Sequence, residues 1–99
     1  MNQTSVHIVA RVTAKPDRVA ELRAVLETLL TPTRQEAGCR RYILLQNQQE
    51  PTGFTFVEEW VDAAAIDNHM KSAHLQQAFA QAAGLLAARP DIQRYDLIG

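Results

Sequence analysis

Four short stretches of the chain predict β-strands, and two of them, 6–12 and 54–60, alternate between the two faces of a sheet. The first covers 6–12 and places its apolar residues on one face: Val6, Ile8, Ala10 and Val12. The second and third cover 40–47 and 54–60. The segment 48–53 between them contains Pro and Gly and predicts a hairpin loop. The fourth strand is predicted over 91–98.

Apolar residues spaced three and four apart predict a helix between the first and second strands. Pro16 and Asp17 suit its first turn, and its apolar stripe consists of Val19, Leu22, Leu26, Leu29 and Leu30. Pro32 should break or kink this helix, because proline lacks the amide donor. A short helical turn is expected next, followed by Gly38, which suits the end of a helix.

Two further helices are predicted after the third strand. Asp62 can cap the first by accepting amide hydrogen bonds, and Ile66 and His69 share one of its faces. A break at 71–73 leads into the last helix, which Pro90 should end. The apolar face of that helix holds Leu75, Phe79 and Leu86. The order of elements predicts an α+β fold, the ferredoxin-like split βαβ arrangement with an antiparallel sheet.

Length and composition limit the classes of protein to consider. A chain of 99 residues fits a single domain, which we expect to span 1–99. A net charge of −1 with interspersed signs argues against nucleic-acid binding, and no apolar run is long enough for a membrane span. The segment 1–11 lacks the pattern of an export signal. Cys39 is the only cysteine, which favours an inert thiol and a cytoplasmic location.

Both faces of the predicted sheet carry apolar residues, although helices on one side cover only one face. In three of the strands, large apolar residues lie on both faces of the sheet: Tyr42 and Leu44 against Ile43 and Leu45, Phe56 and Trp60 against Val57, and Ile92 against Tyr95 and Leu97. Each large apolar side chain left in water forgoes about 1.5–3 kcal/mol. We therefore expect a homodimer that buries the second face, with His7 and Arg11 at the interface.

The third strand and the helix after it bring together the residues best suited to chemistry. Phe56, Glu58 and Trp60 share a strand face onto which His69 can fold. An imidazole titrates near neutrality, so His69 is the candidate proton acceptor. Burial should raise the pKa of Glu58 and make it a second candidate acid or base. Phe56 and Trp60 would form an aromatic wall for a substrate, or simply fill the core.

Tyr42 and His74 are weaker candidates for substrate binding. The Tyr42 hydroxyl can donate to an oxyanion, or Tyr42 can fill the core with its hydroxyl in solvent. His74 can lie at the mouth of the pocket, beside a helix cap or on plain surface. Glu58, His69 and His74 together have the inventory of a metal site with two histidines and one carboxylate. They form no tight ligand motif, so we expect no metal.

The order of these residues resembles the antibiotic biosynthesis monooxygenase (ABM) domain. The residues that carry the resemblance are Phe54-x-Phe56-x-Glu58-x-Trp60, His69, Ser72-Ala73-His74, Gly38-Cys39-x-x-Tyr42 and Tyr95. The resemblance implies a dimeric α+β barrel, with a pocket in each subunit between sheet and helices. It also implies cofactor-free chemistry, in which a deprotonated quinol-like or polyphenolic small molecule reacts with O2. The chain has no phosphate-binding glycine loop, which fits the expectation of no cofactor.

Other functions compete with this interpretation, because a fold alone does not fix a reaction. One alternative is isomerisation of a small hydroxyketone by proton transfer between His69 and Glu58. Another is a non-enzymatic dimeric module that binds a hydrophobic metabolite. Haem degradation, also found among related proteins, is less favoured because the helix after His74 carries no further histidine.

Overall fold

The computed structural model describes residues 5–99 of the chain. Residues 1–4, which belong to the segment 1–11 where we expect no export signal, lie outside the described residues. The elements are β1 (Val6–Thr13), α1 (Val19–Glu27), α2 (Leu30–Arg34), β2 (Cys39–Gln46), β3 (Gly53–Trp60), α3 (Ala63–Met70), α4 (Ala73–Ala82) and β4 (Asp91–Tyr95). The strands form one antiparallel sheet in the order β2-β3-β1-β4. This topology confirms the predicted ferredoxin-like α+β fold. Over the described part of the chain, no helix is long and apolar enough to cross a bilayer.

The core lies on one face of the sheet, and the predicted alternation places it there. Every second residue of β3 is buried, namely Phe54, Phe56, Glu58 and Trp60. In β1 the partners of this row are Val12, Ala10, Ile8 and Val6. Leu22 and Leu26 of α1, Ile66 of α3 and Leu75 of α4 pack onto this face. The remaining buried polar or charged residues among those described are Thr33 and His69.

The first helical region differs from its prediction at both ends. Pro16 and Asp17 form a turn, and α1 begins at Val19. The helix breaks at 28–29, upstream of Pro32, which is the third residue of α2. A first-turn residue needs no amide donor, so Pro32 fits inside this short helix and does not cause the break.

The last helix is shorter than predicted. It ends at Ala82, and Pro90 therefore does not end it. Leu86 forms an isolated bridge with Ala14, and the Ala87 amide donates to the Thr13 carbonyl at 2.9 Å. These bonds extend the edge of the sheet and compete with further helix. The strand β4 also ends earlier than predicted, at Tyr95 and not at position 98.

Gly38 brings the loop that follows α2 into contact with α3. Its φ is +87°, a left-handed conformation that favours glycine, as predicted. A Cβ at this position would stand 2.7 Å from the Cβ of Ala65. The Gly38 carbonyl also accepts from the Val61 amide at 2.9 Å. The backbone of the loop 35–38 is thus held directly against the start of α3.

Over residues 5–99, no helix packs on the outer face of the sheet, which remains partly apolar. Ile43 of β2 pairs with Val57 of β3, which pairs with Val9 of β1, giving an apolar row across three strands. Leu45 and Tyr95 lie exposed on the same face. Ile92 pairs with Ala10 and so belongs to the core face, where its position on an edge strand leaves it exposed.

Candidate active site

His69 is the buried centre of the candidate site. It lies in the last turn of α3 and exposes only 3% of its surface. The Asp62 carboxylate starts this helix by accepting from the Ala65 amide at 2.9 Å, as predicted. The Nδ1 atom of His69 lies 2.6 Å from Oε2 of Glu36, in the loop that Gly38 holds against α3.

His74, in the first turn of α4, approaches the same carboxylate. Its Nε2 atom lies 2.7 Å from the same Oε2 atom of Glu36. An ionised carboxylate only accepts hydrogen bonds, so both nitrogens that face Glu36 act as donors. In a neutral imidazole this leaves the lone pair of His69 on Nε2, with Glu36 fixing the tautomer.

Aromatic rings surround the His69 imidazole. Its centroid lies 4.7 Å from that of Trp60 at an interplanar angle of 33°. Tyr42 meets it edge-on at 5.8 Å, and Tyr42 in turn stacks on Phe56 at 4.9 Å. The resulting row of rings, Trp60, Tyr42 and Phe56, is itself buried and excludes water from one side of the imidazole.

Glu58 lies on the same face of β3 and is 5% exposed. Burial raises the pKa of Glu58 to about 7, because the charged carboxylate loses its hydration. The Trp60 indole opposes this by donating from Nε1 to Oε1 of Glu58 at 2.9 Å, while the charge of Glu36 raises the pKa further. Glu58 can therefore exchange a proton close to neutral pH.

Tyr42 is buried, with 3% of its surface exposed, and its ring packs against Phe56 and His69. Burial raises the pKa of Tyr42 well above its ordinary value, and the nearby Glu58 adds to this. The nearby Thr33 hydroxyl acts to lower the pKa of Tyr42, but its effect is small because it makes no hydrogen bond of ordinary geometry. Tyr42 consequently stays protonated and can act as a donor.

The structure brings together all six candidate residues and adds Glu36 to them. Phe56, Glu58 and Trp60 share the core face of β3, and Tyr42 and His69 pack against them. His74 reaches the group through its contact with Glu36. The carboxylate bound to His69 is Glu36, whereas Glu58 binds the Trp60 indole. The set of two histidines and a carboxylate is therefore Glu36, His69 and His74, not the set containing Glu58.

Sequence reasoning missed Glu36. The residue lies 33 positions before His69, in a loop that has no apolar periodicity. Its one local signal is its place two residues before the helix-ending Gly38. That signal locates a loop and does not say what the loop packs against.

An apolar cavity of about 50 Å³ lies beside the aromatic row, between the sheet, α1 and α4. Phe56 is part of its wall, and Phe79 and Ile92 line it where both are partly exposed. A cavity of about 150 Å³ is needed to hold a benzene ring. An aromatic substrate would therefore have to displace Phe79 or Ile92 to enter.

A family model described as antibiotic biosynthesis monooxygenase matches residues 5–81. The chain belongs to this family. The finding agrees with the resemblance carried by Phe54 to Trp60, His69 and the segment 72–74. It also agrees with the expectation of a monooxygenase-type enzyme.

Relatives of known sequence or structure support the assignment. The Mycobacterium tuberculosis protein Rv0793, provisionally named a monooxygenase, is 38% identical over 85 residues, which are 86% of this chain and 82% of that protein. Its solved structure superposes with a TM-score of 0.90, covering 96% of both chains. The Shewanella oneidensis protein SO0527 gives a TM-score of 0.88 at 37% identity, covering 95% of this chain and 91% of that one. The uncharacterised Synechocystis protein sll1783 is 29% identical over 91% of this chain, which spans only 61% of its length.

Proposed function

We propose that this ABM domain is a cofactor-independent monooxygenase that oxidises a quinol-like or polyphenolic small molecule with O2. The observation that supports it best is the contact between Glu36 and His69 beside Trp60 and Tyr42. A buried imidazole with a carboxylate on one nitrogen is the arrangement of a general base. The aromatic row supplies a dry surface beside that base.

In the proposed reaction, Nε2 of His69 accepts a proton from a hydroxyl group of the substrate. Glu36 stabilises the resulting imidazolium through the Nδ1 hydrogen bond. The electron-rich substrate anion then reacts with O2. One oxygen atom enters the organic product and the other leaves as water. The substrate itself supplies the electrons, so a quinol and O2 yield a hydroxyquinone and one water molecule.

Tyr42 and Glu58 are proposed to assist this step. Tyr42 keeps its proton and can donate to the developing negative charge on the substrate. Glu58, with its pKa raised to about 7, can return a proton to the reduced oxygen. The apolar body of the substrate would extend past Phe56 into the cavity beneath α4. His74 is proposed to hold Glu36 in place from the solvent side.

Oxygen uptake by the purified protein with a panel of quinols and polyphenols tests the proposal. Removing a general base costs roughly 10²–10⁴-fold in rate, so His69→Ala should lose turnover by that order. His69→Gln should keep substrate binding better than rate, because it retains a hydrogen bond but not proton transfer. Asn68→Ala is the control, since Asn68 is the exposed neighbour on the same helix.

Two results would contradict the proposal. If folded His69→Ala and His69→Gln both turn over substrate at the wild-type rate, the base lies elsewhere. If the substrate is converted with no oxygen consumed, the reaction is not oxygenation. The near-neutral pKa of Glu58 favours hydroxyketone isomerisation in that case, with Glu58 and His69 as the proton-transferring pair.

We also propose that the enzyme is a homodimer that buries the outer face of its sheet. The apolar row of Val9, Ile43 and Val57 supports this, together with exposed Leu45 and Tyr95. The helices pack on the opposite face and leave this one uncovered. Association through it would leave the site around His69 facing the helices of its own subunit.

A further inference from the structure

We infer that Glu36, His69 and His74 form a binding site for one divalent transition-metal ion such as Zn²⁺ or Co²⁺. The ion would bind Nδ1 of His69 in place of the proton that this atom donates to Glu36, so a metal-bound protein lacks the hydrogen bond used in the proposed reaction. The metal site is thus a second property of the cluster and goes beyond the proposed function. The inference rests on how the three residues are arranged, on the charges around them and on their exposure to solvent.

The three ligands come from three separate elements and converge on one point. Glu36 comes from the loop after α2, His69 from the end of α3 and His74 from the start of α4. Their ligand atoms all lie within 4.8 Å of one another. A metal ion with bonds of about 2.1 Å spaces its ligands roughly 3.0–3.4 Å apart. The contacts of 2.6 and 2.7 Å need to open by less than about an ångström, and the two imidazole nitrogens, which lie within 4.8 Å of each other, need to approach by up to about 1.5 Å.

The charge around the cluster favours a cation. In the described residues, Glu36 forms ion pairs with the two imidazoles only, and no lysine or arginine reaches it. Glu58 likewise has no cationic partner over residues 5–99, and its pKa responds to the charge of Glu36. A divalent ion would neutralise a carboxylate that is held away from water by protein on most sides.

The cluster combines firm ligands with a route for the ion. The side chains of His69 and Glu36 are 4% and 15% exposed, whereas that of His74 is 25% exposed. A cleft of about 130 Å³ opens beside His74, lined also by Thr28, Gln77, Ala78 and Gln81. Of the three ligands, His74 is therefore the one that solvent and a dissolved ion reach most readily.

The ligand types select the class of metal. Imidazole suits Zn²⁺, Cu²⁺, Ni²⁺, Co²⁺ and Fe²⁺, whereas Mg²⁺ and Ca²⁺ prefer sites made of oxygen ligands alone. Two histidines and one carboxylate hold a metal on one side and leave its other positions open. We therefore expect tight binding of Zn²⁺ and Co²⁺, with no measurable competition from Mg²⁺.

Titration of the chelator-stripped protein with Co²⁺, followed by its visible absorption, tests the inference. One equivalent should bind, and Zn²⁺ should displace it. His74→Ala and Glu36→Gln should each weaken binding by more than the roughly 10–100-fold that loss of an outer-shell partner costs. His7→Ala is the matched control, because His7 is the remaining histidine and lies on the outer face of β1.

Equal binding by wild type and folded His74→Ala would overturn the inference, as would no stoichiometric binding up to millimolar Co²⁺. Weakening by His7→Ala to the same extent would also overturn it, since the metal would then lie elsewhere. Failure of the metal site and failure of the proposed function give different results. Loss of oxygen uptake in chelator would contradict the metal-free reaction and leave the Co²⁺ titration intact, whereas a failed titration leaves turnover intact.

Discussion

In the proposed reaction, Glu36 sets which nitrogen of His69 carries the lone pair. A carboxylate accepting from Nδ1 keeps the ring in the tautomer whose lone pair lies on Nε2. An amide at position 36 can instead donate to Nδ1 and so stabilise the opposite tautomer. The side chain of residue 36 thereby controls whether His69 is a base or a donor towards a substrate.

Glu36→Gln should accordingly lower the turnover number by roughly 10²–10⁴-fold with a much smaller change in KM. Oxygen-uptake kinetics measure both constants. Nitrogen NMR of the imidazole should show the proton moving from Nδ1 to Nε2 of His69, which a purely structural role would not produce. A Glu36→Gln protein with wild-type turnover would show that Glu36 does not position His69.

The buried carboxyl group of Glu58 should make stability depend on pH. Its pKa is about 7 in the folded protein against an ordinary value of 4.5, so the folded state holds the proton more tightly. Stability is therefore fully present below pH 4.5, falls as pH rises towards 7 and stays lower above it. The shift corresponds to about 3 kcal/mol.

Glu58→Gln should remove this dependence, because the amide has no charge to desolvate and its oxygen can still accept from Trp60. We expect the variant to be more stable than wild type at pH 8, by up to about 3 kcal/mol, and equal to it near pH 4. Urea unfolding at both pH values, in the presence of chelator, measures the difference. Glu27→Gln, at an exposed carboxylate, is the control. Parallel pH curves for wild type and Glu58→Gln would contradict the assignment.

Cys39 is expected to be chemically inert. Burial raises the pKa of its thiol, and the charges of Glu36 and Glu58 raise it further, so little thiolate forms at neutral pH. A thiol-specific reagent should therefore react more slowly with the folded protein than with the unfolded one. Reductant should change neither stability nor oxygen uptake. A folded Cys39→Ser protein without activity would contradict this.

At the scale of the elements, Gly38 fixes the loop that carries Glu36. Gly38→Ala combines a left-handed φ with a Cβ only 2.7 Å from Ala65, and it should cost about 2–4 kcal/mol of stability. Because the strain moves the loop away from α3, the imidazole resonances of His69 should shift as well. Gly84→Ala is the control, since a Cβ there meets nothing within 4 Å. Equal unfolding free energies for the two variants would contradict the proposed role of Gly38.

The elements that follow from local chemistry could be predicted from the sequence. Alternation located β1 and β3 with the correct buried face, and the Asp62 carboxylate identified the start of α3. The prediction failed where distant contacts decide. The end of α4 depends on hydrogen bonds between 85–87 and the end of β1. The sequence of neither segment predicts that it pairs with the other.

The candidate site divides in the same way. His69 and the row from Phe56 to Trp60 follow from strand and helix periodicity. Glu36 does not, because its loop meets α3 through long-range contacts, namely the close approach of Gly38 to Ala65 and the contact between Glu36 and His69. Strand and helix periodicity place Glu58 and His69 in one pocket, whereas the contacts that each makes there, Glu58 with the Trp60 indole and His69 with Glu36, depend on the tertiary packing.

At the scale of the whole molecule, a single chain leaves apolar residues on the outer face of its sheet exposed to solvent. Stable protein interfaces bury about 1,200–2,000 Å² in total, which one sheet face from each of two chains can supply. Val57 is central to this face, because it pairs with Ile43 on one side and Val9 on the other. A charge placed there would be buried without a partner in the dimer but remain hydrated in the monomer.

Val57→Asp should therefore shift the protein from dimer to monomer while preserving the fold. Light scattering coupled to size exclusion, over a range of micromolar concentrations, measures the change, and circular dichroism checks the fold. Ala80→Asp is the control, because Ala80 is exposed on α4, away from the outer face, and should leave the dimer intact. A wild-type monomer at micromolar concentration, or a Val57→Asp dimer as tight as wild type, would show that this face does not mediate association.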